Sequence, residues 1–293
     1  MKIFNVYILI SLFILLLTSC SVIDNSIISA TQKKEVSQTI KSEVKTKEKM
    51  VEIDGQSIYF KQIGKEKPPL LMFHGFGNSS DGFNDIYSDL AQNHTIISVD
   101  ILGFGRSSKP IDYSYTFPNQ ANMYYKLMKK LGYDTFAIMG HSLGGELALN
   151  LTYLYPSAIT NLILVDAPGV ESLQKESISS KPRLMDELNT VSDIKDYKEN
   201  DVKYKRNNTE HYKELRKMIE NKLYMDPREI QVPTLIIWGR KDKSVSWKDG
   251  SKYQQLIANS TLRIIEKGYH APFRQEPKEF IRYVNEFFKK HPL

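Results

Sequence analysis

Residues 136–155 read Phe136-Ala-Ile-Met139-Gly140-His141-Ser142-Leu143-Gly144-Gly145-Glu146-Leu-Ala-Leu-Asn-Leu-Thr-Tyr-Leu-Tyr155, and their order decides the fold. An apolar run of strand length stops at Gly140, and a helix-prone stretch begins directly after Ser142, so a strand passes into a helix through a very sharp turn. Such a turn forces the serine backbone into a strained conformation, and its neighbours must lack side chains for strand and helix to approach, which accounts for Gly140 and Gly144. The strain presents the Ser142 hydroxyl at the strand's carboxyl end. The Leu143 amide, at the helix start, faces any negative charge that develops there.

Working outward, further short apolar runs occur at 70–73, 95–99, 161–165, 234–238 and 261–265, each reading as a buried strand. Helical patterns fill 118–131, 143–155 and 249–258, and another, 277–289, follows the last strand. Upstream, Val51–Ile53 and Ser57–Phe60 flank Asp54-Gly55, a hairpin turn signal. Strands alternating with helices predict right-handed crossovers and an α/β fold: a mostly parallel central sheet with helices on both faces. Between about 170 and 230 the alternation pauses, yet Leu184, Leu188 and Val191, and then Leu215, Met218, Ile219 and Leu223, recur at helical spacing. That stretch predicts an inserted lid of amphipathic helices.

The chain's 293 residues, 41% hydrophobic and 25% charged with 15 Gly, 12 Pro and one Cys, exclude a collagenous, disulfide-stapled or polytopic membrane protein. The net charge of +6 is misleading: setting aside seven lysines and four acids in 1–49, residues 50–293 hold 33 basic against 30 acidic groups. A nearly balanced domain without a basic stripe argues against nucleic acid as a partner.

Half of the surplus sits in the first 49 residues. Residues 3–17, IFNVYILISLFILLL, follow Lys2 and are too short for a bilayer span but suit the apolar region of an export signal. Leu17-Thr18-Ser19-Cys20 resembles the lipobox of bacterial lipoproteins, which implies a signal peptide over 1–19, cleavage before Cys20 and lipid attachment (palmitate among the acyl groups) to that sole thiol. Residues 20–49, rich in Ser, Thr, Lys and Glu, predict a flexible tether reaching roughly 30 Å. The expectation is a domain over 50–293, held outside the cytosol at a cell membrane or outer membrane.

With these pieces in order, residues 51–291 resemble the α/β-hydrolase superfamily. Gly140-His141-Ser142-Leu143-Gly144 matches its nucleophile turn. His74-Gly75-Phe76-Gly77 matches its oxyanion loop, making the Phe76 amide a second donor beside Leu143, with His74 and Gly75 shaping the loop. Asp100-Ile-Leu-Gly103-Phe-Gly105-Arg-Ser107 matches the turn after the next strand. Trp238-Gly-Arg-Lys-Asp242 matches the acid position, and His270, ahead of Glu276-Pro277, the base position. The chain order Ser, Asp, His is the superfamily's own.

The resemblance implies a division of labour. A serine hydroxyl is a poor nucleophile until a base takes its proton, and neutral imidazole accepts and returns one near working pH. Ser142 would attack an acyl carbon, His270 would shuttle the proton, and Asp242 would fix the imidazole tautomer and stabilise its charged form. Asp166, ending the LILVD run, is the rival acid, because some relatives place theirs there; otherwise Asp166 and Asp100 organise loops. His94, His211 and His291 fall in polar stretches, while His74 and His141 adjoin the site in tight loops. Six scattered His without H-E-x-x-H or a thiol pair give no expectation of a metal, and no cofactor is implied.

A serine at the turn argues against the dehalogenases and epoxide hydrolases of the superfamily, which use aspartate. Carboxylic ester hydrolysis needs the fewest additional groups, so the expected activity is that of a carboxylesterase or lipase-like enzyme acting on a small-molecule acyl substrate. A proline-type aminopeptidase, using Glu187 or Glu199 of the lid to hold the substrate amine, a carbon-carbon bond hydrolase and a perhydrolase are alternatives. So is a ligand-binding pseudo-hydrolase, although none of the three catalytic positions is missing. The sequence sets no oligomeric state.

Overall fold

The computed structural model describes residues 45–170, 215 and 225–292. The signal segment, Cys20, almost all of the tether and most of the lid, with Glu187, Glu199 and His211, lie outside the described residues. Eight strands form one sheet: β1 (Thr46–Ile53), β2 (Gln56–Ile63), β3 (Pro69–Phe73), β4 (Thr95–Val99), β5 (Phe136–His141), β6 (Ile159–Val165), β7 (Thr234–Gly239) and β8 (Ser260–Ile265). Their order is β1-β2-β4-β3-β5-β6-β7-β8. The pairs β1/β2 and β2/β4 are antiparallel and all others parallel, as the alternation of elements predicts.

Helices α1 (Asn84–Leu90), α2 (Phe117–Lys130), α3 (Leu143–Leu154), α4 (Trp247–Leu256), α5 (Pro272–Gln275) and α6 (Pro277–Lys290) cover both faces. The two-residue period of the strands divides the core between them. Leu71, Phe73, Ile138, Leu164 and Trp238 pack with Phe117 and Leu127 of α2, Leu147 of α3 and Tyr253 of α4. Their alternates Leu70, Met72, Met139, Val165 and Ile237 pack with Ile86 and Leu90 of α1 and Phe280, Val284 and Phe287 of α6. At about 1.5–3 kcal/mol per buried large apolar side chain, these two layers hold the scaffold against chain entropy. No helix among the described residues is long and apolar enough to cross a membrane.

Three differences from the sequence reading have physical causes. The first strand begins at Thr46, so Thr46–Lys49, assigned to the tether, pair with Phe60–Ile63. One edge strand can be polar and exposed along most of its length, and its composition then imitates a linker. Helix α1 went unread because it is a seven-residue element with only Ile86, Tyr87 and Leu90 buried, too short to establish a period. Helix α5, four residues long, escapes for the same reason. Finally, His94 does not sit in a polar setting: it is buried against Phe288 of α6, with ring centroids 4.3 Å apart.

Candidate active site

Parallel strands deliver their carboxyl ends to one rim. At the centre, the Val165 carbonyl accepts the Ser142 amide at 2.9 Å, fixing the turn against β6. Ser142 itself has φ 52° and ψ −125°, the left-handed strain expected of so abrupt a reversal. A Cβ on Gly140 would run into the Gly144 carbonyl, and one on Gly144 would lie 2.5 Å from the Phe73 carbonyl oxygen. Helix α3 therefore starts directly on the ends of β5 and β3.

The remaining groups arrive from neighbouring loops. Asp242, three residues beyond β7, is held by its Oδ1, which accepts the Ser244 and Val245 amides at 2.8 and 3.0 Å. His270 follows β8. Its Nδ1–H donates to Asp242 Oδ2 at 2.8 Å, and its Nε2 accepts the Ser142 hydroxyl at 3.0 Å. Residues 142, 242 and 270 are thus joined end to end, with the carboxylate side chain fully buried and the imidazole 28% exposed. Such a chain can carry a proton from hydroxyl to imidazole while the buried carboxylate stabilises the cation.

His74 links two loops. Its Nδ1–H donates to the Gly75 carbonyl at 2.7 Å and its Nε2 accepts the Ile101 amide at 2.9 Å. The backbone acceptor and donor leave the neutral ring only one tautomer, with the proton on Nδ1. Gly75 lies so near the nucleophile turn that a Cβ there would be 3.1 Å from Ser142 Cβ, which brings the loop carrying Phe76 beside Ser142. Phe76 in turn packs edge-on against Phe104, centroids 5.2 Å apart.

Asp100 fastens the adjacent loop. Its carboxylate accepts the Ser80 amide and hydroxyl at 2.7 and 2.6 Å and the Arg106 amide and Nε at 2.8 and 2.9 Å. Burial would raise its pKa, but the Arg106 and Ser80 hydrogen bonds outweigh that and hold the carboxyl below its ordinary range. The side chain of Leu215 is buried against Gly103, so one of the residues read at helical spacing in the lid packs over the turn after β4.

Sequence reasoning placed His141 beside the site and Asp166 as a rival acid without finding their partners, and it missed Glu146. His141 donates its Nε2–H to the His270 carbonyl, and burial together with the neighbouring His270 pushes its pKa down to about 3, so the ring is neutral. Glu146, in the first turn of α3, is buried and pushed up to about 8 by desolvation alone. Asp166, whose carboxyl accepts the Gly239 amide at 2.9 Å, lies within hydrogen-bonding reach of Asp242. No local pattern marks these contacts, because each joins segments distant in sequence or depends on what covers the helix. Ligating atoms of His141, Asp166 and His270 fall within 4.8 Å of one another. The His141 Nε2 and both ring nitrogens of His270 are already engaged in the hydrogen bonds described, so this is not an open metal cradle.

Fold and site together define a class. The chain belongs to the α/β-hydrolase fold family, whose model matches residues 68–188 and 188–277. It is 26% identical to Lipase 3 of Moraxella sp. (strain TA144), over 92% of this chain and 93% of that protein. It is 25% identical to 2-hydroxy-6-oxo-6-(2'-aminophenyl)hexa-2,4-dienoic acid hydrolase of Metapseudomonas resinovorans, over 85% and 93% of the two chains. The crystal structure of a membrane phospholipase A described as a bacterial virulence factor superposes with a TM-score of 0.69 at 22% identity, covering 99% of both chains. The protein is a hydrolase with lipase-like relatives.

Proposed function

We propose that this hydrolase cleaves carboxylic esters through an acyl-Ser142 intermediate. The observation that carries the proposal is His270, bonded through one ring nitrogen to Ser142 Oγ and through the other to buried Asp242. As Ser142 Oγ bonds to the ester carbonyl carbon, its proton passes to His270 Nε2. The carbonyl electrons move onto oxygen, where the amides of Leu143 and Phe76 contribute on the order of 3 kcal/mol each. Collapse of that intermediate breaks the bond to the alcohol oxygen, which takes the proton from Nε2. Water then repeats the sequence, His270 accepting its proton and returning it to Ser142 as the acid departs.

Labelling with a fluorophosphonate, together with turnover of p-nitrophenyl esters of graded acyl length, tests the proposal. Both activities should vanish in Ser142→Ala; a folded wild-type protein inert to the probe would overturn it. The relative acting on a dienoic acid supports a second reading, hydrolysis of a carbon-carbon bond by the same groups. Activity on a vinylogous 1,5-diketone with none on any ester would select that reading.

The N-terminal pattern supports membrane attachment through a lipidated Cys20, with residues 21–45 as the tether. Cys20→Ser should leave the signal uncleaved and abolish incorporation of a palmitate analogue. Unchanged incorporation would exclude Cys20 as the acceptor.

A further inference from the structure

Behind Asp242 stands a carboxyl that the proposed mechanism does not use. Asp166 closes β6 in the left-handed conformation, φ 46°, with a fully buried side chain. Its Oδ1 accepts the Gly239 amide at 2.9 Å, while its Oδ2 is buried and finds no donor among the described residues. Facing it are Asp242 from the loop after β7, His270 from the loop after β8 and His141 at the end of β5. No lysine or arginine of the described residues forms an ion pair with it.

Two carboxyl groups in contact repel one another unless a proton lies between them. Asp242 already accepts from three donors, the Ser244 and Val245 amides on Oδ1 and the His270 Nδ1–H on Oδ2. Asp166 has a single amide donor and an orphaned oxygen, so the proton belongs there. Burial first, and then the charge on Asp242, push its carboxyl well above the usual carboxylate range, and neutral His141 supplies no compensating charge. An aspartate that stayed ionised here would lack both water and a cation, which is costly for a buried charge.

We infer that Asp166 is held as a neutral carboxylic acid whose Oδ2–H donates to Asp242, extending the chain to Ser142–His270–Asp242–Asp166. Asp166 is then a positioning residue. Its O–H fixes the plane of the Asp242 carboxylate and so the orientation of the imidazole bonded to it. The kinetic consequences rest on the proposed acyl-serine chemistry, whereas the protonation state does not.

The test pairs infrared spectroscopy with the pH dependence of Ser142 labelling. At neutral pH the wild-type protein should show a protonated-carboxyl C=O band that shifts on ¹³C-labelling of aspartate carboxyls, which separates it from buried Glu146. Asp166→Asn should remove that band. Asn tolerates left-handed φ and offers an N–H in place of the O–H, so the acid limb of the labelling profile should not move to lower pH. Absence of an aspartate-derived band overturns the inference, as does an acid limb shifted to lower pH in Asp166→Asn, the signature of removing a negative charge beside His270. If Asp166→Asn does not fold, isotope labelling of the wild type decides alone. A wild-type protein inert to the probe rejects the proposed function, and the infrared band still decides the protonation of Asp166.

Discussion

The imidazole of His141, immediately before Ser142, donates its Nε2 proton to the main-chain carbonyl of His270. One turn therefore supplies both the hydroxyl bonded to His270 and the strut that holds the His270 loop. The rings lie 5.0 Å apart, and Phe273 packs edge-on against His141. Replacing this donor with an apolar group of similar size, His141→Leu, loses a hydrogen bond of about 1–1.5 kcal/mol. The expected outcome is a fall of roughly tenfold in kcat at nearly constant KM for p-nitrophenyl esters, because orientation of the base rather than substrate binding is disturbed.

Gly144→Ala should not yield a native protein. Its Cβ would meet two carbonyl oxygens, of Phe73 at 2.5 Å and His74 at 2.7 Å, and backbone cannot swing aside as a side chain does. A cost of about 3 kcal/mol or more is expected, read as a large drop in melting temperature or loss to inclusion bodies. Wild-type stability in this variant would show that α3 does not start against the end of β3.

Arg106→Leu would leave Asp100 as a charge at 0% exposure, without its cationic partner. The Arg106 side chain is 37% exposed, so solvent screens part of the pair, and the Ser80 and Arg106 amide hydrogen bonds remain; the loss expected is about 1–3 kcal/mol. Chemical denaturation should report the loss. Asp100→Asn, which keeps acceptor and shape, should cost less.

His94 predicts an acid-sensitive fold. Burial, and secondarily the Lys67 charge, lower its pKa from 6.5 to about 4, so below 6.5 the unfolded chain takes up a proton that the native one refuses. Stability is therefore complete above that value and drains as pH falls towards 4, by at most about 1.4 kcal/mol per pH unit. His94→Leu should flatten the decline over that range in denaturant titrations at stepped pH. An unchanged slope would place the acid sensitivity elsewhere, His141 being the next candidate.

Much of this was legible along the chain. The strand runs and the helices near 117–130, 143–154, 247–256 and 277–290 follow from periodicity, since each element buries one face or both and its composition records that burial. The nucleophile turn is local and stereochemically demanding, so Gly140, Ser142 and Gly144 announce it. Asp242 and His270 were found only through a resemblance, because nothing in the spacing of residues 142, 242 and 270 says that their side chains meet.

What the sequence determined by itself was therefore the alternation of elements, the strained serine at the sheet's rim and the apolar N-terminal segment ahead of a single cysteine. Only the tertiary structure decided which acid reaches His270. Asp166 and Asp242 both stand near the carboxyl ends of adjacent strands, and the choice falls to Asp242 because its loop turns one oxygen onto two amides and the other onto the imidazole. The neutral tautomer of His74, the strut from His141 and the proton inferred on Asp166 belong to the same category. Hydrogen bonding and desolvation depend on what surrounds a group in three dimensions, and those surroundings come from strands far apart in the chain.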